Sequence, residues 1–201
     1  IEWILQGNKF SSKDWLDRVV FFIGSKWIKH GYGWIFPMKN NQLKVGVCRL
    51  PPPGFDLNSD VSDLNALKKI LSKAHLDDLE VIDRHGGVLS STIKRKEQHV
   101  IGRIIGVGDA VSTANLLGGE GIRHAMLSAE ILAPLLIDSS NSLSTNKEGY
   151  ISPLYKYETL LRRGLGWRWV ATSRLAKKIW WGLSNESADK RLTLLIKKLS
   201  E

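Results

Sequence analysis

Apolar and aromatic segments separated by short polar or glycine-rich breaks mark the first fifty residues as strand-forming. Val19-Val20-Phe21-Phe22-Ile23-Gly24 is β-branched and aromatic and stops at a glycine. Tyr32–Pro37 and Leu43–Cys48 flank the polar connector Lys39-Asn40-Asn41-Gln42, which predicts an antiparallel hairpin. Leu50-Pro51-Pro52-Pro53-Gly54 breaks the pattern as a loop. The period then changes: Leu64, Leu67, Leu71 and Ala74 fall on one helical face, with Ser59-Asp60 placed to cap its start. Glu80-Val81-Ile82 predicts another strand, leading into His85-Gly86-Gly87 and Val88-Leu89. After the polar link Lys94–Gln98, the run Ile104-Ile105-Gly106-Val107 predicts a buried strand. A helix follows from about Gly121 to Ala133 or slightly beyond, then a Ser- and Asn-rich linker over Asp138–Gly149. From Ile151 onward the chain reads as helical.

Composition narrows the class. The 201 residues are 43% hydrophobic and 24% charged, enough to bury a core and too apolar for disorder. A single cysteine, Cys48, excludes an intrachain disulfide framework and a cysteine-cluster metal site, and makes a cytoplasmic setting the expectation. No His, Asp or Glu spacing suggests a metal. The longest apolar run, Ile131–Ile137, contains Pro134 and falls short of the roughly 20 residues of a transmembrane helix. The opening Ile1-Glu2-Trp3 carries neither Met nor a signal pattern, so an upstream part of a longer protein is expected.

Candidate chemistry concentrates in two places. The run Ile104–Val107 leads into Gly108-Asp109-Ala110, and then into Gly118-Gly119-Glu120-Gly121 ahead of a helix. Gly106-x-Gly108 resembles a dinucleotide fingerprint, but Val111 replaces its third glycine and Asp109 would repel a pyrophosphate. A carboxylate at a strand end instead suits hydroxyl donors, such as those of a ribityl chain. The glycines let backbone approach a ligand, and the helix they open offers unpaired N–H groups. A tight strand-to-helix turn without a ligand stays open as the alternative. On the predicted hairpin, Tyr32, Trp34 and Phe36 alternate onto one face as an aromatic wall suited to a long apolar substrate, or to an ordinary sheet core. His124, beside Arg123 on the motif helix, reads as structural or exposed rather than catalytic.

These residues carry a resemblance. Gly108-Asp109-Ala110, eight residues, then Gly119-Glu120-Gly121-Ile122 resembles the second FAD motif of geranylgeranyl-reductase-like flavoproteins. Tyr32-Gly33-Trp34-Ile35-Phe36-Pro37, eight residues, then Gly46-Val47-Cys48 is similar to the signature that lines their catalytic cavity, and Gly86-Gly87 resembles a glycine pair on the cavity side. The resemblance implies FAD as cofactor, held at Gly108, Asp109, Ala110, Gly118, Gly119, Glu120, Gly121 and Ile122. It also implies a lipophilic substrate against Tyr32, Trp34, Phe36, Pro37, Gly46, Cys48, Gly86 and Gly87. The implied reaction is reduction of C=C bonds in an isoprenoid chain by reduced FAD, with NAD(P)H or ferredoxin as electron donor. The implied fold is a mixed α/β flavoprotein of the p-hydroxybenzoate-hydroxylase type, truncated. Residues 1–100 would form an antiparallel substrate sheet, 101–138 the FAD strand and helix, and 139–201 a helical extension.

Departures exist: Leu116 stands where the family has Pro, Ser112 where it often has Gly, and Cys48 replaces the second glycine of the cavity signature. The adenine-side GxGxxG is absent from the 201 residues, so this chain alone is expected not to retain FAD. An aromatic hydroxylase is the alternative within flavoenzymes, but Ser112 and the Gly119-Glu120-Gly121-Ile122 segment favour the reductase. A non-catalytic basic module for membrane or nucleic acid is the alternative from another class. The chain carries a net charge of +9, and residues 151–201 hold 11 Lys and Arg against 4 Asp and Glu, a surplus of +7. There Trp167, Trp169, Trp180 and Trp181 mix with cations, which suits peripheral docking on an anionic membrane, while nucleic acid would leave the flavin motifs unexplained.

Overall fold

The computed structural model describes residues 1–7, 13–56, 62–91, 98–101, 104–142 and 152–200, and its chain divides into two units. The first comprises Ile1–Gly87 and Lys178–Glu201, the second Val88–Lys177.

Strand pairing organises the first unit. β1 (Glu2–Gln6), β2 (Val20–Ile23), β3 (Gly31–Met38), β4 (Gln42–Arg49) and β5 (Glu80–His85) form an antiparallel sheet in the order β2-β3-β4-β1-β5. The β3–β4 hairpin is the predicted one. Asn40 and Asn41 both adopt φ 58° at its turn, a left-handed conformation that asparagine tolerates better than most residues. Alternation sorts the side chains: Leu5, Ile35, Leu43, Val45 and Val47 are buried, and α1 (Asp63–Lys73) packs in the same core through Ala66, Leu67, Ile70 and Leu71. Gly33 permits the close approach, since a side-chain carbon there would sit 2.2 Å from Ile70 Cδ1. The cap of α1 is Ser62, whose hydroxyl accepts from Asn65 N at 3.2 Å. The predicted cap Ser59-Asp60 lies outside the described residues. Leu64, placed in sequence on the core face, is 42% exposed, because Ala66 and Ile70 move the stripe's centre and leave Leu64 at its margin.

Residues 178–182, the end of α3 (Ser152–Gly182), and α4 (Glu186–Ser200) complete this unit. Trp180 is buried with its ring 5.0 Å from that of Tyr32. His30 Nδ1 donates to Trp180 O at 3.1 Å, and His30 N to Leu183 O at 2.9 Å. α4 is pinned by Asp189, whose carboxylate accepts from Ser25 N at 2.8 and 2.9 Å and from Ser25 Oγ at 2.8 Å.

The second unit is mostly helical. β6 (Val100–Ile101) and β7 (Ile104–Ile105) make a two-stranded ladder, a short 3-10 turn spans Gly108–Val111, and α2 (Ile122–Ser142) packs with α3 around Val111, Leu132, Leu135, Tyr157, Leu161, Leu165 and Trp169. Gly164 brings the two helices together, since a side-chain carbon there would meet Ile131 Cδ1 at 3.0 Å. Two expectations change here. The buried strand Ile104–Val107 is only two residues long, and Ile104 is 74% exposed because β6 is its one ladder partner among the described residues. Helix α2 continues through Pro134 to Ser142, taking the first five residues of the predicted linker; positions 143–149 lie outside the described residues. A mid-helix proline costs about 3 kcal/mol. Here its ring faces solvent while Leu132 and Leu135 on either side are buried.

In the Trp-rich tail, Trp169 and Trp180 are buried, whereas Trp167 is 74% exposed. No helix among the described residues is long and apolar enough to cross a membrane.

Candidate functional site

Each unit holds one group of the singled-out residues. In the first unit, strand alternation turns Tyr32, Trp34 and Phe36 away from the α1 side of the sheet, so the aromatic wall lies opposite the core that α1 packs, with Trp180 against its Tyr32 end. The rings form a row, with centroids 5.8 Å apart from Tyr32 to Trp34 and 6.0 Å from Trp34 to Phe36, and Phe21 meets Tyr32 and Phe36 edge-on. Their partners on β4 are Cys48, Gly46 and Lys44. Gly46 makes room for the central ring. A side-chain carbon there would lie 2.3 Å from Trp34 Cζ2, so only glycine lets the indole reach across β4. Having crossed it, Trp34 Nε1 donates to Glu2 Oε2 at 3.0 Å. The Tyr32 hydroxyl and the Cys48 thiol share a hydrogen bond, and burial raises the pKa of both. Pro37 pairs with Leu43 near the hairpin end; Gly86 and Gly87 follow the end of β5, exposed.

Sequence reasoning missed a polar cluster on this same face. Glu2 Oε1 lies 2.7 Å from His85 Nε2 and 3.2 Å from Lys44 Nζ, and His85 Nδ1 lies 3.0 Å from Asp83 Oδ2. The two carboxylates raise the pKa of His85, Glu2 more than Asp83. The one signal in the sequence was strand alternation placing Asp83 and His85 on one side of β5; nothing there named Glu2 as their neighbour.

In the second unit, the 3-10 turn Gly108–Val111 starts with Gly108 at φ 59°, its N–H donating to Ser128 Oγ on α2 at 2.9 Å. A side-chain carbon at Gly108 would meet Ala125 Cβ at 3.0 Å, so this glycine seats the turn on the helix. Asp109 and Ala110 are exposed on that turn. The Asp109 carboxylate has no hydrogen-bond or ion-pair partner among the described residues, and Gly121 comes so close that a side-chain carbon there would stand 3.2 Å from Asp109 Oδ1. Asn115 and Glu120 exchange backbone hydrogen bonds at 2.9 and 3.2 Å, closing a turn over Leu116–Gly119 in which Gly119 takes φ 64° and Gly118 faces open space. Glu120 pairs with Arg123, which lowers its pKa. Ile122 opens α2 exposed, and His124 is buried with Nδ1 2.8 Å from Glu120 O. A cavity of about 520 Å³ borders this turn, lined by Gly118, Glu120, Arg123, Arg168 and Trp169 among others.

The segment singled out in the sequence is thus partly drawn together: Asp109 stands against Gly121, and Gly118 in the adjoining turn has open space around it. An unpartnered carboxylate beside clear backbone fits a hydroxyl-rich chain such as ribityl. Among the described residues no group of three His, Cys, Asp or Glu is arranged to hold a metal ion.

No protein-family model and no curated protein sequence matches this chain. Among solved structures it is similar to a geranylgeranyl bacteriochlorophyll reductase-like protein from Thermoplasma acidophilum, with a TM-score of 0.68 and 22% identity over 94% of this chain. The chain spans 44% of that protein's length. The fold is thus mixed α/β, with an antiparallel sheet and a helical C-terminal region, similar to part of that protein.

Proposed function

We propose that this chain is the substrate-side part of an FAD-dependent oxidoreductase that reduces C=C bonds in an isoprenoid, geranylgeranyl-type lipid. The observation that carries the proposal is the aromatic row Tyr32–Trp34–Phe36, on the sheet face opposite α1 with Gly46 cleared beneath Trp34. Such a row offers apolar contact to a long hydrocarbon while excluding water from it. The solved relative named above supports the fold on which this rests.

Asp109 would accept hydrogen bonds from ribityl hydroxyls, and Gly118, Gly119 and Gly121 would keep side chains out of the cofactor's way, with Gly108, Ala110, Glu120 and Ile122 framing them. FAD, when bound, supplies hydride from its reduced form; NAD(P)H or ferredoxin recharges it. The ADP half belongs to a GxGxxG-bearing stretch, which these 201 residues lack. The chain's own residues provide position, electrostatics and a dry wall.

The test is reduction of a geranylgeranyl lipid by the full-length protein with dithionite-reduced FAD, followed by mass spectrometry. Each saturated bond adds two hydrogens to the product mass, and Trp34→Ala is expected to lower the rate at least tenfold. An unreduced lipid after many equivalents of reduced flavin would overturn the proposal.

A further inference from the structure

Across the sheet, Trp34, Gly46, Glu2 and His85 are successive register partners on β3, β4, β1 and β5. Paired residues project to the same side of a sheet, so the imidazole of His85 belongs to the aromatic face. It is held from two directions, by Glu2 through Nε2 at 2.7 Å and by Asp83 through Nδ1 at 3.0 Å. Ionised carboxylates only accept hydrogen bonds. An imidazole facing one at each nitrogen satisfies both only when both nitrogens carry protons. Both oxygens of Glu2 are engaged: Oε1 takes His85 and Lys44, and Oε2 takes the indole of Trp34. The arrangement ties a cationic acid to the wall's central ring through a single carboxylate.

We propose that His85, held as an imidazolium between Glu2 and Asp83, is the acid that delivers a proton to substrate carbon at the aromatic wall. This rests on the reductive function proposed above. Saturating a C=C bond adds hydride to one carbon and a proton to the other. The hydride comes from reduced flavin, which is left oxidised. The proton comes from a ring nitrogen of His85, whose N–H leaves its carboxylate and turns to the substrate: that N–H bond breaks as the new C–H bond forms, its electron pair stays on nitrogen, and neutral imidazole remains. The His85 side chain is 47% exposed, so water reloads the proton for the next turnover. Tyr32 and Cys48, on the same face, have pKa values raised by burial and are poorer acids at neutral pH.

The charged groups around His85 act consistently. Glu2 from β1 and Asp83 from its own strand favour its charged form. Lys44 from β4 contacts Glu2 rather than the ring, and Arg84 turns to the other side of the sheet, 4.6 Å above the ring of Trp3. Lys68 from α1 lines a cavity that His85 also borders. The two direct neighbours are anions, so the proton is retained above the ordinary histidine pKa of about 6.5.

The experiment combines two titrations of the full-length, FAD-loaded protein. In the first, ¹H–¹⁵N long-range NMR follows the protonation of His85. In the second, kcat for reduction of a geranylgeranyl lipid is followed against pH. The His85 midpoint is expected above 6.5, kcat is expected to fall as pH rises through that midpoint, and Glu2→Gln is expected to move both to lower pH together. His85→Gln is expected to lower kcat at least about a hundredfold with less effect on KM, the scale of general acid catalysis. A kcat profile that stays in place while the NMR midpoint moves overturns the role of His85 and leaves the reductase proposal intact. A His85 that is neutral at pH 6.5, or a His85→Gln protein of undiminished kcat, overturns it equally. If the wild-type protein reduces no lipid, the reductase proposal fails and the role of His85 fails with it.

Discussion

The indole of Trp34 lies over Gly46, where an added side-chain carbon would stand 2.3 Å from Cζ2 and 2.5 Å from Cε2. Gly46→Ala is therefore expected to push the ring off β4, break its hydrogen bond to Glu2 and destabilise the sheet by about 1–3 kcal/mol, the cost of overpacking. Denaturant unfolding measures the loss. An unchanged midpoint would mean that the ring moves aside freely and that glycine is not required.

Asp109 and Gly121 are expected to respond differently. The exposed, unpartnered Asp109 contributes little to folding, so Asp109→Ala should change stability by no more than about 0.5 kcal/mol. The same variant of the full-length protein is expected to lose its FAD, read as flavin absorbance after purification. Gly121→Ala should weaken retention less, by displacing the carboxylate. Full flavin content in Asp109→Ala would remove this residue from the cofactor site.

The two classes of tryptophan separate membrane docking from packing. Trp169→Ala and Trp180→Ala should each cost about 3–5 kcal/mol, as truncations of buried aromatic residues. Trp167→Ala should leave stability nearly unchanged and lower co-sedimentation with anionic vesicles if the basic tail docks there. Equal vesicle binding by wild type and Trp167→Ala would take Trp167 out of any lipid contact.

Removing the clamp on α4 is expected to loosen that helix selectively. Asp189→Ala leaves Ser25 N and Oγ without their acceptor and should cost about 2–3 kcal/mol, in the range for hydrogen bonds to a charged group. Amide exchange should accelerate over Glu186–Ser200 more than over β3 and β4. Uniform acceleration would show that α4 and the sheet open together.

Local patterns made much of this protein legible. The β3–β4 hairpin follows from alternation and a polar connector, and the wall follows from alternation alone. What stayed hidden depended on neighbours. An apolar run such as Ile104–Val107 reads the same whether covered or bare, so its exposure could not be inferred. Several cap-type residues stand ahead of α1, and only the first helical turn selects Ser62. The burial of Trp169 was masked by the Lys and Arg around it, although Tyr157, Leu161, Leu165 and Trp169 recur every four residues and mark a buried stripe. The cluster around His85 was out of reach, because Glu2 and His85 meet only through strand register.

That register also bears on how the chain reaches its fold. β1 is an interior strand whose partners on both sides, β4 and β5, come later in the chain; Trp3 meets Val45 on one edge and Arg84 on the other. Until both have emerged from the ribosome, β1 has two open edges able to pair with any passing strand. Trp180 reaches Tyr32 later still, after the whole second unit has been synthesised. Such non-local closure slows folding and lengthens exposure to aggregation. Its hazard is greatest at high expression rates, and slower synthesis or chaperone supply should raise the soluble yield.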